Sequence, residues 1–103
     1  MNKNEAVRSD MVQRVAGFLE RRPKKRLDNY LAWSRAFDLI RRKNNKKKCD
    51  FSREELFSIL EEGLFEAFES IEGRVLTGEE EDMLRGRIES LKRLQPEKLA
   101  PSS

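Results

Sequence analysis

Apolar residues recur every three or four positions along this chain in four separate stretches, and three of the four end at a proline or a glycine. That period predicts four α-helices. In the first, roughly Asn4 to Arg22, Val7, Met11, Val15, Phe18 and Leu19 share a face, with Val12 and Ala16 beside them. Asp10, Gln13, Arg14, Glu20 and Arg21 fall on the other side. Pro23 should end this helix, because proline has no N–H to donate and clashes with the preceding turn. The second stretch, about Lys25 to Lys43, carries Leu27, Tyr30, Leu31, Trp33, Ala36, Phe37, Leu39 and Ile40. At about 100° per residue these cover most of the circumference, leaving Asp28, Arg35 and Arg42 as the clearest polar stripe. A helix so widely apolar is expected at the centre, with the others packed around it.

The third and fourth helices announce their starts. Ser52 is followed by Glu55 and Thr77 by Glu80, each the spacing of a capping box, in which the hydroxyl and the carboxylate each satisfy the other residue's backbone N–H. Phe51 and Leu56 stand where a hydrophobic staple would close. Leu56, Phe57, Leu60, Leu64, Ala67, Phe68 and Ile71 then line one face, with Ile59 at its edge. Gly63 lies within that arc, where a missing side chain lets another helix come close. Gly73 supplies a stop. Leu84, Ile88 and Leu91 make the stripe of the last helix, flanked by Met83 and Leu94. Glu79, Glu81 and Asp82 near its start and Lys92 and Arg93 near its end complement the helix dipole. Pro96 ends it, and residues 96–103 read as a flexible tail. The fold expected is all-α, a small four-helix bundle or bundle-like helical domain over residues 1–95. The longest connection, Asn44 to Phe51, leaves open whether the two helical hairpins pack at an angle.

Composition enters through what it removes. The chain has 103 residues and no histidine, which takes away the commonest general base, the commonest metal ligand and any Ser-His-Asp triad. One cysteine, Cys49, cannot form an internal disulfide, and with no histidine it cannot complete an ordinary zinc site. Five separate glycines make no phosphate loop. Glu61/Glu62 and Glu79/Glu80/Glu81 could hold a hard cation, although acidic surface of this kind is ordinarily just solvated. No catalytic residue, metal or cofactor is therefore expected. No apolar run approaches the roughly 20 residues of a membrane span, and the N-terminus lacks a signal peptide's apolar core. A cytoplasmic location is expected, or a nuclear one in a eukaryote.

Charge is divided unevenly. Residues 1–50 carry 15 basic and 6 acidic side chains, whereas residues 51–103 carry 7 and 13. The cations form two blocks, Arg21, Arg22, Lys24, Lys25 and Arg26, then Arg41, Arg42, Lys43, Lys46, Lys47 and Lys48, with Arg35 on the stripe between. The blocks are about 15 helical residues apart, or about 22 Å, a span covering several phosphates of a duplex. These residues are the candidate nucleic-acid contacts. Their type predicts backbone binding, sensitive to salt and tolerant of sequence, since no helix-turn-helix or zinc finger is present to read bases. Solvated helix ends, a protein-facing surface, an import signal and contact with a membrane surface are the other readings of the same residues.

Phe65 projects about 120° from the centre of its helix's apolar face, among Glu61, Glu62 and Glu69. These four are the candidate protein contacts, an aromatic anchor in an acidic surround for a basic partner. An exposed Phe65, or one covered by a neighbouring helix, is the plainer reading. Trp33 and Tyr30 are expected in the core. Arg87 is expected to lay its stem along the apolar arc, and Cys49 to be an inert thiol. Two functions fit. One is a non-catalytic accessory or regulatory protein of a nucleic-acid-handling process, its basic half on nucleic acid and its acidic half on a protein. The other is a pure protein-binding adaptor or inhibitor, such as a phage- or plasmid-encoded modulator of a larger host complex. In that second case the two charged halves pair within the chain or across a homodimer.

Overall fold

Ser52 and Thr77 open their helices as the sequence predicts. In the computed structural model, which describes residues 3–21, 30–47 and 51–94, four helices are present among those residues. They are α1 (Lys3–Glu20), α2 (Tyr30–Lys47), α3 (Arg53–Glu72) and α4 (Gly78–Leu94). At the start of α3 the Glu55 N–H donates to the Ser52 hydroxyl (3.1 Å) and the Ser52 N–H to the Glu55 carboxylate (2.8 Å). At α4 the Glu80 N–H donates to Thr77 Oγ1 (3.2 Å) and the Thr77 N–H to Glu80 (2.9 Å). Gly73 ends α3 in the left-handed region, φ 74°, its N–H donating to the Glu69 carbonyl at 2.8 Å.

Among the described residues the fold is an all-α four-helix bundle. Successive helices alternate in direction, as the cross-contacts show. Asp10 of α1 meets Lys43 of α2; Phe37 and Asn44 of α2 meet Phe57 and Phe51; Glu54 and Glu61 of α3 meet Lys92 and Arg85 of α4. One apolar cluster runs through all four helices. Met11, Val15 and Leu19, Trp33, Phe37 and Ile40, Phe57, Leu60 and Leu64, and Leu84, Ile88 and Leu91 are all buried in it. Burying each such side chain contributes about 1.5–3 kcal/mol. Phe37 and Phe57 stack with ring centroids 4.2 Å apart.

The centre is α3, in place of the second helix expected from the sequence. It packs on each of the other three, most extensively on α1. Two features explain the reversal. On α2 the apolar residues that widened the arc, Tyr30 and Leu31, lie exposed, and Leu39 is only half buried, so its buried face is narrower than its composition. On α3, Gly63 meets α1 so closely that an added Cβ would lie 2.5 Å from Val15 Cβ and 3.0 Å from the Val12 carbonyl. A bare backbone there lets two parallel helices pack at their shortest separation.

Helix α2 also runs to Lys47, past the Lys43 limit read from the sequence. Asn44, a modest helix former, is buried in its last turns. Its side-chain amide donates to the Phe51 carbonyl (3.2 Å) and its amide oxygen accepts from the Phe51 N–H (3.3 Å). The side chain thus pairs with the backbone just ahead of α3 and fixes the end of α2 against the start of α3. Phe51 is half buried and packs on the cluster to which Leu56 belongs, so both staple residues enter the same core. Trp33 is fully buried, as expected. Tyr30 is exposed and meets the Trp33 ring edge-on at 5.5 Å. The expectations for Pro23, Cys49, Pro96 and the tail fall outside the described residues. None of the described helices is long and apolar enough to cross a membrane.

Candidate functional site

Helices α1 and α2 lie side by side with a shallow trough between them. On α1 the trough is lined by Arg14, Phe18 and Arg21, spaced by four and three; on α2 by Arg35, Leu39, Arg42 and Lys46, spaced by four, three and four. Residues at that spacing share one helical face. Three adjoining hollows of about 300, 420 and 270 Å³ make up its length, and each has Leu39 in its wall. Phe18 and Leu39, half buried against the core, form the apolar floor. Gln13 and Gly17 lie at the Phe18 end. From Arg35 to Lys46 the trough extends about 16 Å along α2, at 1.5 Å per residue.

The rim is strongly cationic. Six basic side chains stand along it, Arg14, Arg21, Arg35, Arg42, Lys43 and Lys46, and one carboxylate, Asp10, answers two of them. Arg14 Nε lies 3.0 Å and Lys43 Nζ 3.1 Å from the same Asp10 oxygen. Hydrogen bonding from Arg14, then from Lys43, holds the Asp10 carboxyl below the usual carboxylate range. Lys43 is drawn in by this contact, its side chain only 15% exposed. Among the described residues, Arg21, Arg35, Arg42 and Lys46 form no ion pair. Arg41 lies off the trough, paired with Asp38 at 2.6 Å.

Of the twelve cations picked out by the sequence, Arg21, Arg35, Arg42, Lys43 and Lys46 come together at this trough and Arg41 stands apart. Arg22, Lys24, Lys25, Arg26 and Lys48 lie outside the described residues, and Lys47 is placed only as the last residue of α2. Arg14 falls on the polar side of its helix in the sequence and Phe18 and Leu39 on apolar faces, so facial pattern alone marks none of the three as trough residues. A usable signal was present, an apolar residue flanked by cations at i−4 and i+3 on both helices.

The acidic residues named from the sequence are engaged, Glu61 and Glu69 within the acidic half and Glu62 with α1. Glu61 pairs with Arg85 (3.2 Å), Glu62 with Arg8 (2.6 Å), and a Glu69 oxygen accepts from the Leu76 N–H (3.2 Å). Hydrogen bonding to Glu62 raises the Arg8 pKa. Phe65 departs from the exposed anchor its helical angle suggested. It is half buried, packs on the core, and carries the Arg85 guanidinium over its ring at 5.4 Å. Arg85 reaches there from α4, and with Glu61, Glu81 and Asp82 also within 4 Å it closes this face. Glu54 is likewise paired, with Lys92 at 3.1 Å. At the α3–α4 turn Arg74 clasps Glu80 through two bonds of 2.8 and 2.7 Å. That contact, helped by the Thr77 N–H, lowers the Glu80 pKa to about 2. Arg87 is half buried.

No protein-family model, curated protein or solved structure matches this chain.

Proposed function

We propose that this protein binds nucleic acid through the α1–α2 face, holding the phosphate backbone without reading sequence, and acts as a non-catalytic accessory to a nucleic-acid-handling process. The observation that carries this reading is the trough itself. Among the described residues, four cations with no carboxylate partner, Arg21, Arg35, Arg42 and Lys46, line one concave surface, while Glu54, Glu61 and Glu62 of α3 pair with Lys92, Arg85 and Arg8. Unpaired cations set close together are favourable only where an anion or bulk water takes up their field, and a polyanion releases its own counterions on binding them. With the trough turned to nucleic acid, α3 and α4 would face any protein partner.

Fluorescence anisotropy against labelled nucleic acid of arbitrary sequence, over a range of salt concentrations, tests the proposal. With four phosphates neutralised, log K against log salt should fall with a slope of about −3 to −4. The triple variant Arg35→Gln, Arg42→Gln, Lys46→Gln should flatten that slope by about 2 to 3 and weaken binding to all sequences alike. Absence of binding at low salt, or a triple variant that binds as the parent does, would falsify the proposal. Nuclease-resistant capture of a protein by the same face, with no nucleic-acid binding, would establish the adaptor reading instead.

A further inference from the structure

Given nucleic-acid binding at this face, we infer that the trough is built for a single strand and discriminates against a duplex. A duplex offers a protein its phosphates and keeps the faces of its bases stacked inside. For such a partner a flat or convex cationic surface is sufficient, and an apolar floor adds nothing. Here the cations stand on both rims, Arg21 on one side and Arg35, Arg42 and Lys46 on the other, while Phe18 and Leu39 lie between and below them. That cross-section, positive edges over an apolar bed, fits a strand whose phosphates reach the rims while an unstacked base lies on the floor. Backbone-tracking cations with an aromatic or apolar platform are the general means of holding single strands without sequence preference.

The dimensions agree. The hollow bounded by Phe18, Arg35, Leu39 and Arg42 has a volume of about 420 Å³ and is open to solvent, with room for a planar group to lie on its floor. The trough's length of about 16 Å corresponds to about four or five nucleotides at the stacked spacing of about 3.4 Å per strand, and to fewer when the strand is stretched. Gly17 opens the Phe18 end, since no atom lies within 4 Å of where its Cβ would be. Charge complementarity alone would also admit an acidic peptide. The cations along the α2 rim, Arg35, Arg42 and Lys46, stand seven and then four residues apart and set no single repeat, so it is the apolar floor beneath them that favours a strand's base over a peptide's carboxylate.

The experiment compares four probes of equal phosphate or carboxylate number on the full-length protein. They are an oligothymidylate, the same oligomer with every base removed, a blunt duplex and a polyglutamate peptide. The single strand should bind about tenfold or more tightly than both the duplex and the abasic strand, the factor expected from one base on an apolar platform. Leu39→Ala, and Phe18→Leu as a variant that keeps core volume, should bring the oligothymidylate down to the level of the abasic strand and leave duplex binding unchanged. Circular dichroism confirms that each variant is folded. Arg42→Gln should weaken all nucleic-acid probes together. Equal or tighter binding of the duplex, or a single-strand preference that survives both floor substitutions in folded protein, overturns the inference while leaving backbone binding in place. Tighter binding of polyglutamate than of any nucleic acid overturns both.

Discussion

Adding one methyl group at Gly63 should unseat the packing of α1 on α3. A Cβ built there lies 2.5 Å from both Val15 Cβ and Val15 Cγ1 and 3.0 Å from the Val12 carbonyl oxygen. Comfortable carbon contacts are about 3.5–4.0 Å, so the overlap is about 1 Å. Rotation of Val15 relieves only Cγ1, because its Cβ is fixed to the backbone, so the helices themselves must part. Overpacking of this kind costs about 1–3 kcal/mol, against which alanine in a helix interior gains about 0.5–1 kcal/mol over glycine. The net expected for Gly63→Ala is a loss of about 1–2 kcal/mol, or a fall in Tm of about 4–16 °C for a domain of this size. Gly86 of α4 is the control, since nothing lies within 4 Å of its Cβ position and its φ is not positive. There the same substitution should raise Tm by a few degrees. Thermal unfolding followed at the helical circular dichroism band compares the parent, both alanine variants and Gly63→Val, which should be worse than Gly63→Ala. If Gly63→Ala melts at or above the parent, the close approach of α1 and α3 is wrong.

Two further outcomes follow from polar contacts. Asn44→Ala leaves the Phe51 N–H and carbonyl without the side chain that pairs with both, and should cost about 1–3 kcal/mol in urea unfolding; Asn44→Asp, which cannot donate, should recover only part, and a parent-like midpoint for either would refute the clamp. Glu80 has its folded pKa lowered from 4.5 to about 2, so its contribution is present above about pH 4.5 and lost as pH falls through about 2. The Tm difference between the parent and Glu80→Gln should therefore be full at neutral pH and close between those values, and a difference independent of pH would show that the Arg74–Glu80 clasp does not form in solution.

Local signals in the sequence located the starts of α3 and α4 and the end of α3 because capping residues act over one helical turn. Ser52 with Glu55, Thr77 with Glu80, and Gly73 each satisfy neighbouring backbone groups, so spacing alone reveals them. The central helix was not legible for the opposite reason. The apolar residues of α2 spread over most of its circumference, yet only packing decides which of them become buried, and Tyr30 and Leu31 lie exposed and Leu39 half buried. Gly63 did carry the information, as a gap in an apolar arc, but the sequence could not say which helix fills it. Phe65 has the cover from a neighbouring helix that the sequence allowed, but Arg85, which supplies it, is twenty positions away and could not be named from spacing.

The same distinction between local and distant partners explains how a chain with a net charge of only +3 keeps a strongly positive face. Simple attraction would fold the basic half onto the acidic half. Among the described residues one cation of α1 crosses over, Arg8 to Glu62, and it lies outside both basic blocks. Carboxylates of α3 and α4 are taken by cations of their own half, Glu54 by Lys92, Glu61 by Arg85 and Glu80 by Arg74, or by backbone N–H groups at Ser52, Thr77 and Leu76. Exposed pairs like these contribute little to stability individually. Their effect is one of allocation: each carboxylate fixed within α3 and α4 is one fewer to reach the α1–α2 trough. Reversing the arrangement should therefore be harmless to the fold and harmful to binding. Arg85→Gln, which releases Glu61, Glu81 and Asp82, should lower affinity for a polyanion through the field of the freed charges, without touching the trough.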